Sequence, residues 1–205
     1  MSATAYSTGS PAVAPPASPL ADSSLVRADA ARIQGSASAP VWIIEVSDFQ
    51  CPFCREWHDS TYAVVKREFI DTGKARFAYY NFPIPQHKNA WPAAEAAMCA
   101  GIQGKFWQMH DALFGSQAKW EMEPDPTRVI DGLATAAGVD AAKMRACVTS
   151  HITRPLIQAD FDRSEERGVH STPTFLVNGA QLVGAQPIEP FRQAMAAALR
   201  KAGSK

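Results

Sequence analysis

Cys51-Pro52-Phe53-Cys54 is the stretch that most limits what this chain can fold into. It follows an apolar run, Val41-Trp42-Ile43-Ile44-Glu45-Val46, that reads as a strand, and it opens a segment that reads as a helix from Pro52 to about Phe69. Two cysteines separated by two residues at a strand-to-helix junction form a redox pair. The first falls at the helix N-terminus, where unpaired N–H groups and the macrodipole favour a thiolate. Pro52 suits the first helical turn, because its fixed φ is helical and its missing N–H costs nothing there. The implied chemistry is thiol–disulfide exchange, with Cys51 the more exposed nucleophile and Cys54, one turn further in, the resolving thiol. The alternative is half of a zinc site built from Cys51, Cys54 and His58. A closed site needs a fourth ligand and no second Cys-x-x-Cys exists, so no metal and no cofactor are expected.

The chain of 205 residues is long enough for one domain with a sizeable core, or one domain with an insertion. Its 20 Lys and Arg balance 20 Asp and Glu, which gives no reason to expect nucleic acid or an anionic membrane as partner. No stretch approaches the length of a membrane span. No leader with a charged start and an apolar middle is visible. The cysteine usage nevertheless points to an oxidising compartment, periplasmic or otherwise extracytoplasmic. A native signal or anchor is therefore expected to have been removed, with Met1 added.

Residues 1 to about 28 are rich in Ala, Pro and Ser and are expected to form a flexible tether. Arg32 to Gly35 reads as a short strand and Arg76 to Asn81 as a longer one, ended by Pro83 and Pro85. The strand over 41–47 is apolar at successive positions, so burial on both faces is expected. From about Lys88 to Arg167 the pattern is helical, with helices expected near 88–101, 103–114, 127–137, 140–149 and 153–167. Strands return at 174–177 and 180–183, and Asn178-Gly179 between them is a strong hairpin signal. An amphipathic helix over 188–201 closes the chain. Trp42, Trp91, Phe106, Trp107 and Phe114 are expected in the core. His58, His87, His110, His151 and His170 form no catalytic spacing and read as surface or capping residues, although His58 and His87 could approach the redox pair.

Strand, helix, strand, helical block, hairpin, helix is the order of an α/β thioredoxin-like fold with an inserted all-helical subdomain. The sequences Asp48-Phe49-Gln50-Cys51-Pro52-Phe53-Cys54, Gln103-Gly104-Lys105-Phe106-Trp107 and Ser171-Thr172-Pro173-Thr174-Phe175 make the likeness specific. Over roughly residues 32 to 202 the chain resembles the DsbA-like thiol–disulfide oxidoreductases. The resemblance implies a thioredoxin-like domain over 29–85 and 168–205, a helical insertion over 86–167 covering the active site, and an extracytoplasmic location. It implies a cis Pro173 facing the cysteine pair, so that backbone beside Thr172 can pair with an extended substrate. Glu45 corresponds to the acid that proteins of this class place under the inner cysteine, with burial raising its pKa and Cys54 as its proton partner. Some members of this branch bridge cysteines at the positions of Cys99 and Cys147. Such a bridge contributes about 4 kcal/mol of loop entropy in the chain-entropy account, and the alternative is two buried free thiols.

Pro52 and Phe53 set the redox poise and meet the substrate. The best-known oxidases of the family carry His where this chain has Phe53, and Phe supplies no cationic partner to the thiolate. The expected function is a disulfide donor to reduced or misoxidised proteins, recycled by a membrane redox partner and acting as a monomer. An isomerase or reductase of the same fold is the first alternative, disfavoured because residues 1–30 read as too short and polar for the dimerisation domain that shuffling members of the class carry. A non-catalytic tethered binding or metal-handling domain is the second, disfavoured because Cys51, Cys54, Glu45 and Thr172-Pro173 are all intact.

Overall fold

The apolar run around Ile43 becomes the central strand of a five-stranded sheet. In this computed structural model, which describes residues 23–203, the strands are β1 (Ile33–Gln34), β2 (Val41–Ser47), β3 (Ala75–Asn81), β4 (Thr174–Val177) and β5 (Ala180–Val183). Their spatial order is β1-β3-β2-β4-β5. β2 and β3 run parallel with Ile43 opposite Phe77 and Glu45 opposite Tyr79. β4 and β5 form an antiparallel hairpin. Its turn, Asn178-Gly179, has φ of 46° and 91°, the two left-handed residues that a tight two-residue turn needs.

A helix, α2, crosses over between the parallel strands, as right-handed β–α–β geometry requires. It opens at Pro52–Trp57 and continues to residue 70, with π-helical turns at His58–Tyr62 and Lys66–Ile70. Together with the closing helix Ile188–Gly203 it covers one sheet face, burying Trp57, Val65, Phe191 and Met195 against Ile43, Phe77 and Phe175. Each fully buried aromatic of this layer contributes roughly 1.5–3 kcal/mol.

Between β3 and β4 lie five helices, α3 (Ala90–Ile102), α4 (Phe106–Gly115), α5 (Thr127–Ala136), α6 (Ala141–Ser150) and α7 (Arg154–Glu166). Their bounds follow the sequence pattern closely. α3 forms the axis of this block, because its small residues let neighbours approach closely from every side; Ala93 to Gly101 are all buried. Cys99 on α3 and Cys147 on α6 are joined in a disulfide, with Cα atoms 5.9 Å apart. No helix among the described residues is long and apolar enough to cross a membrane.

Three expectations need correction. Residues 23–28 are not part of a tether, since the first helix, α1 (Ser23–Ala31), has Leu25 and Ala28 buried in the same core as α3. Low apolar content hid it, because an Ala-rich helix packs through close approach rather than through large side chains. The rest of the tether expectation falls on residues 1–22, outside the described residues. Next, β2 is not buried on both faces throughout: Trp42 and Ile44 are half-buried, and Arg76 lies over the Trp42 ring at 4.3 Å. On the second face, Val46 toward the C-terminal end is buried with Phe82 and Val169. Finally, Trp91 and Trp107 are half-buried at the rim, while Phe106 and Phe114 are in the core.

Candidate active site

The turn between β2 and α2 is held by Asp48. Its backbone oxygen accepts from Cys51 N at 3.0 Å, and its Oδ1 accepts from Gln50 N at 2.7 Å. Its Oδ2 accepts from Ile84 N at 2.9 Å and lies 2.7 Å from His87 Nδ1. The carboxylate therefore ties the redox turn to the segment that leaves β3. The helical block clamps the same turn from above. Gln117 Nε2 donates to the carbonyls of Phe49 at 2.7 Å and Cys51 at 3.0 Å, and Gln50 Nε2 donates to Glu121 O at 2.7 Å.

Cys51 is the N-cap of α2, in an extended conformation, and Pro52 occupies the first helical position. Cys51 is 3% exposed and Cys54 is fully buried, whereas Phe53 is 58% exposed. The order of exposure follows the sequence expectation, but only a sliver of Cys51 meets solvent. Both cysteines are free thiols. Cys51 Sγ lies 3.5 Å from the carbonyl oxygen of Thr172, and the Thr172–Pro173 peptide is cis.

The two thiols are driven apart in acidity. A hydrogen bond from Cys54 lowers the Cys51 pKa to about 6, helped by Thr172 and by backbone N–H groups of Cys54 and Phe53, and burial only partly opposes this. Burial pushes Cys54 well above the ordinary thiol value, and its pairing with Cys51 adds to the effect. Reduced protein should accordingly alkylate at Cys51 with a pH midpoint near 6. Mass mapping of iodoacetamide-treated protein at pH 6 checks this, and labelling that falls first on Cys54 would reverse the assignment.

Glu45 is fully buried, and burial raises its pKa to about 7 against the lowering influence of Ser47 and His58. It projects from the sheet face that α2 covers, beside Tyr79 of β3. Ser47, two residues on, projects from the same face and is also buried.

The histidines divide. His87 sits on Asp48, and that contact raises its pKa. His110 is not a surface residue: it is 1% exposed, ringed by Phe49, Tyr79 and Phe114, and burial lowers its pKa. His58 lies with Nε2 3.4 Å from Asp111 Oδ1 and Nδ1 3.1 Å from Asp59 Oδ1. His58, His110 and Asp111 place one potential metal ligand each within 4.8 Å of one another. Asp111 already lies within hydrogen-bonding distance of both rings, which accounts for their proximity without an ion.

Sequence reasoning missed Ser47, Asp48, Tyr79 and Gln117. Ser47 carried the same signal as Glu45, a polar residue in an apolar strand. Gln117 carried none, since its partners are main-chain carbonyls 66 and 68 residues away.

Comparison with known proteins agrees with this geometry. The sequence pattern of the family described as Thioredoxin matches residues 27–197. A probable disulfide bond formation protein D of Bacillus anthracis is 29% identical over 71% of this chain and 68% of its own length. A Na(+)/H(+) antiporter NhaA 1 of Salinispora arenicola is 32% identical over 83% of this chain. The chain spans about a quarter of the length of that relative and of its counterpart in Salinispora tropica. Oxidised BdbD from Bacillus subtilis superimposes with a TM-score of 0.75 at 21% identity, over 82% of this chain and 92% of that one. For α-DsbA1 of Wolbachia pipientis the values are 0.74 and 20%, over 83% and 92%. The chain belongs to the Thioredoxin family and has the architecture of its DsbA-like thiol–disulfide oxidoreductases, a helical block inserted into the thioredoxin fold.

Proposed function

We propose that the protein is a disulfide donor to folding proteins in an extracytoplasmic compartment, acting through Cys51 and Cys54. The observation that carries this reading is the placement of the pair: Cys51 is the N-cap of α2 with its Sγ 3.5 Å from the Thr172 carbonyl oxygen, and Cys54 is fully buried one turn further in, so the first thiol is made more acidic and the second less. A reduced form that stabilises one thiolate makes the oxidised form the stronger oxidant.

The exchange runs in two displacements. A substrate thiolate attacks Cys51 Sγ of the Cys51–Cys54 disulfide, and Cys54 leaves with the electron pair. Glu45 supplies a proton to the buried Cys54 sulfur, and takes it back in the reverse direction. A second substrate thiolate then attacks the substrate sulfur of the mixed disulfide, and Cys51 leaves as a thiolate. Two electrons pass from the substrate to the cysteine pair. A membrane redox partner returns the pair to the disulfide. Exposed Pro52 and Phe53, with Thr172 and Pro173 opposite, form the contact surface for the extended substrate. Cys99 and Cys147 act only in holding α3 to α6.

Oxidised protein should reactivate a reduced, unfolded disulfide protein faster than glutathione disulfide alone, and should rescue a scrambled one poorly. Equal efficiency on scrambled substrate would favour an isomerase instead.

A further inference from the structure

Below Cys54 the sheet presents three polar side chains where apolar ones would serve the core better. Glu45 and Ser47 are two apart on β2 and leave the same face. Tyr79 is the partner of Glu45 in the parallel register, so it leaves that face too. None of the three exceeds 1% exposure, and Cys54 is fully buried. Both Glu45 carboxyl oxygens, Ser47 Oγ and the Tyr79 hydroxyl lack a formed hydrogen bond. An unpaired buried hydroxyl costs roughly 1–3 kcal/mol. Alanine at position 47 would avoid that cost.

The Ser47 hydroxyl is within reach of three groups at once. Although no hydrogen bond among them is closed, the hydroxyl lies near enough to favour the ionised forms of the Cys54 thiol, the Glu45 carboxyl and the Tyr79 phenol alike. A hydroxyl donates one hydrogen bond and accepts others, so it can receive a proton on one side while releasing its own on the other. A carboxylate facing a thiol with such a hydroxyl beside both needs no direct contact to exchange a proton.

We propose that Ser47 is the proton relay between Cys54 and Glu45, an inference that rests on the reading of Glu45 as the proton partner of Cys54. When Cys54 closes on a mixed disulfide at Cys51, its S–H proton passes to Ser47 Oγ as the Ser47 O–H proton passes to the Glu45 carboxylate. The Cys54 thiolate attacks Cys51 Sγ, the bond from Cys51 to the partner sulfur breaks, and the partner leaves as a thiolate with the electron pair. Ser47 ends as it began, and Glu45 holds the proton. The other titratable groups around this route are Tyr79 on β3, His58 on α2, and Asp48 and Cys51 in the redox turn.

The test is the intramolecular closure step in reduced protein treated with excess 5,5′-dithiobis(2-nitrobenzoate). Cys51 takes the first nitrothiobenzoate, and release of the second reports attack by Cys54. In the wild type, closure should accelerate as pH rises through about 7, where Glu45 gains the charge to accept a proton. Ser47→Ala and Glu45→Gln should each abolish that rise and slow closure about tenfold or more at pH 8, at the lower edge of general acid–base contributions or below. The double variant should be no slower than Glu45→Gln, because a relay without its acceptor carries nothing. Cooperative unfolding of the oxidised single variants at or above the wild-type midpoint confirms that the fold is intact. If Glu45→Gln slows closure but Ser47→Ala leaves it unchanged, or slows the double variant by its full factor, the relay is wrong and the Glu45 reading stands. An unchanged Glu45→Gln profile defeats both.

Discussion

Cys51→Ser protein is expected to exchange disulfides no faster than the uncatalysed background, while Cys54→Ser should still attack and then stall. The serine hydroxyl is not ionised near neutral pH and cannot replace a thiol held at a pKa of about 6. The loss should therefore be complete within detection rather than partial. Cys54→Ser keeps the N-cap thiol and its Thr172 contact but removes the group that resolves the mixed disulfide. Its serine hydroxyl keeps a donor toward Cys51, so the alkylation midpoint should stay near 6. Gel-shift analysis of the two reduced variants with a disulfide-bonded, unfolded substrate separates the outcomes. Mixed disulfides that accumulate with Cys51→Ser rather than Cys54→Ser would exchange the roles of the two cysteines.

The second large effect is on stability. Glu45 holds its proton more tightly in the fold, with a pKa of about 7 against an ordinary value of 4.5. The fold is thus favoured fully below about pH 4.5, loses stability as pH rises toward about 7, and is level above that. A shift of this size in a fully buried group corresponds to about 3 kcal/mol. Glutamine does not titrate, so Glu45→Gln protein should gain on the wild type by about 3 kcal/mol between pH 4 and pH 8. Urea unfolding of the oxidised proteins at the two pH values measures the gain without interference from the thiols. A gap that stays constant would mean that Glu45 ionises normally, and its place in the exchange mechanism would fall with it.

Much of this was legible in the chain because local signals and tertiary packing agree there. Cys51 and Pro52 read as a helix start and form one, and Asn178-Gly179 reads as a hairpin turn and adopts both left-handed residues. The Ala-rich segment expected as a helix near 88–101 is α3, Ala90–Ile102. Burial of Glu45 followed from its apolar neighbours in sequence. What escaped depended on contacts across the fold. Ser23–Ala31 has few large side chains, and only the Ala-lined surface of α3 explains why it packs. His110 has a surface residue's chemistry, and its burial comes from Phe49 and Tyr79, which lie far away in sequence. Ser47 stands out as a polar residue in an apolar strand, but its role needs Tyr79 and Cys54 placed around it. Asp48 was seen as part of a motif, but its function as the clasp on Ile84 and His87 needs the end of β3 beside the redox turn.

The poise of the Cys51–Cys54 pair brings these arguments to one number. Lowering one thiol from 9.0 to about 6 stabilises the reduced form about tenfold at pH 7, or about 30 mV toward the oxidising side. Phe53 adds no cationic partner to that, so the value should stop short of the most oxidising members of the fold, near −120 mV. Equilibration of the purified protein with defined ratios of reduced and oxidised glutathione at pH 7 gives the potential directly. A disulfide donor requires a value well above about −270 mV, the potential of thioredoxin, and a measured potential at or below it would mark the protein as a reductant and contradict the account.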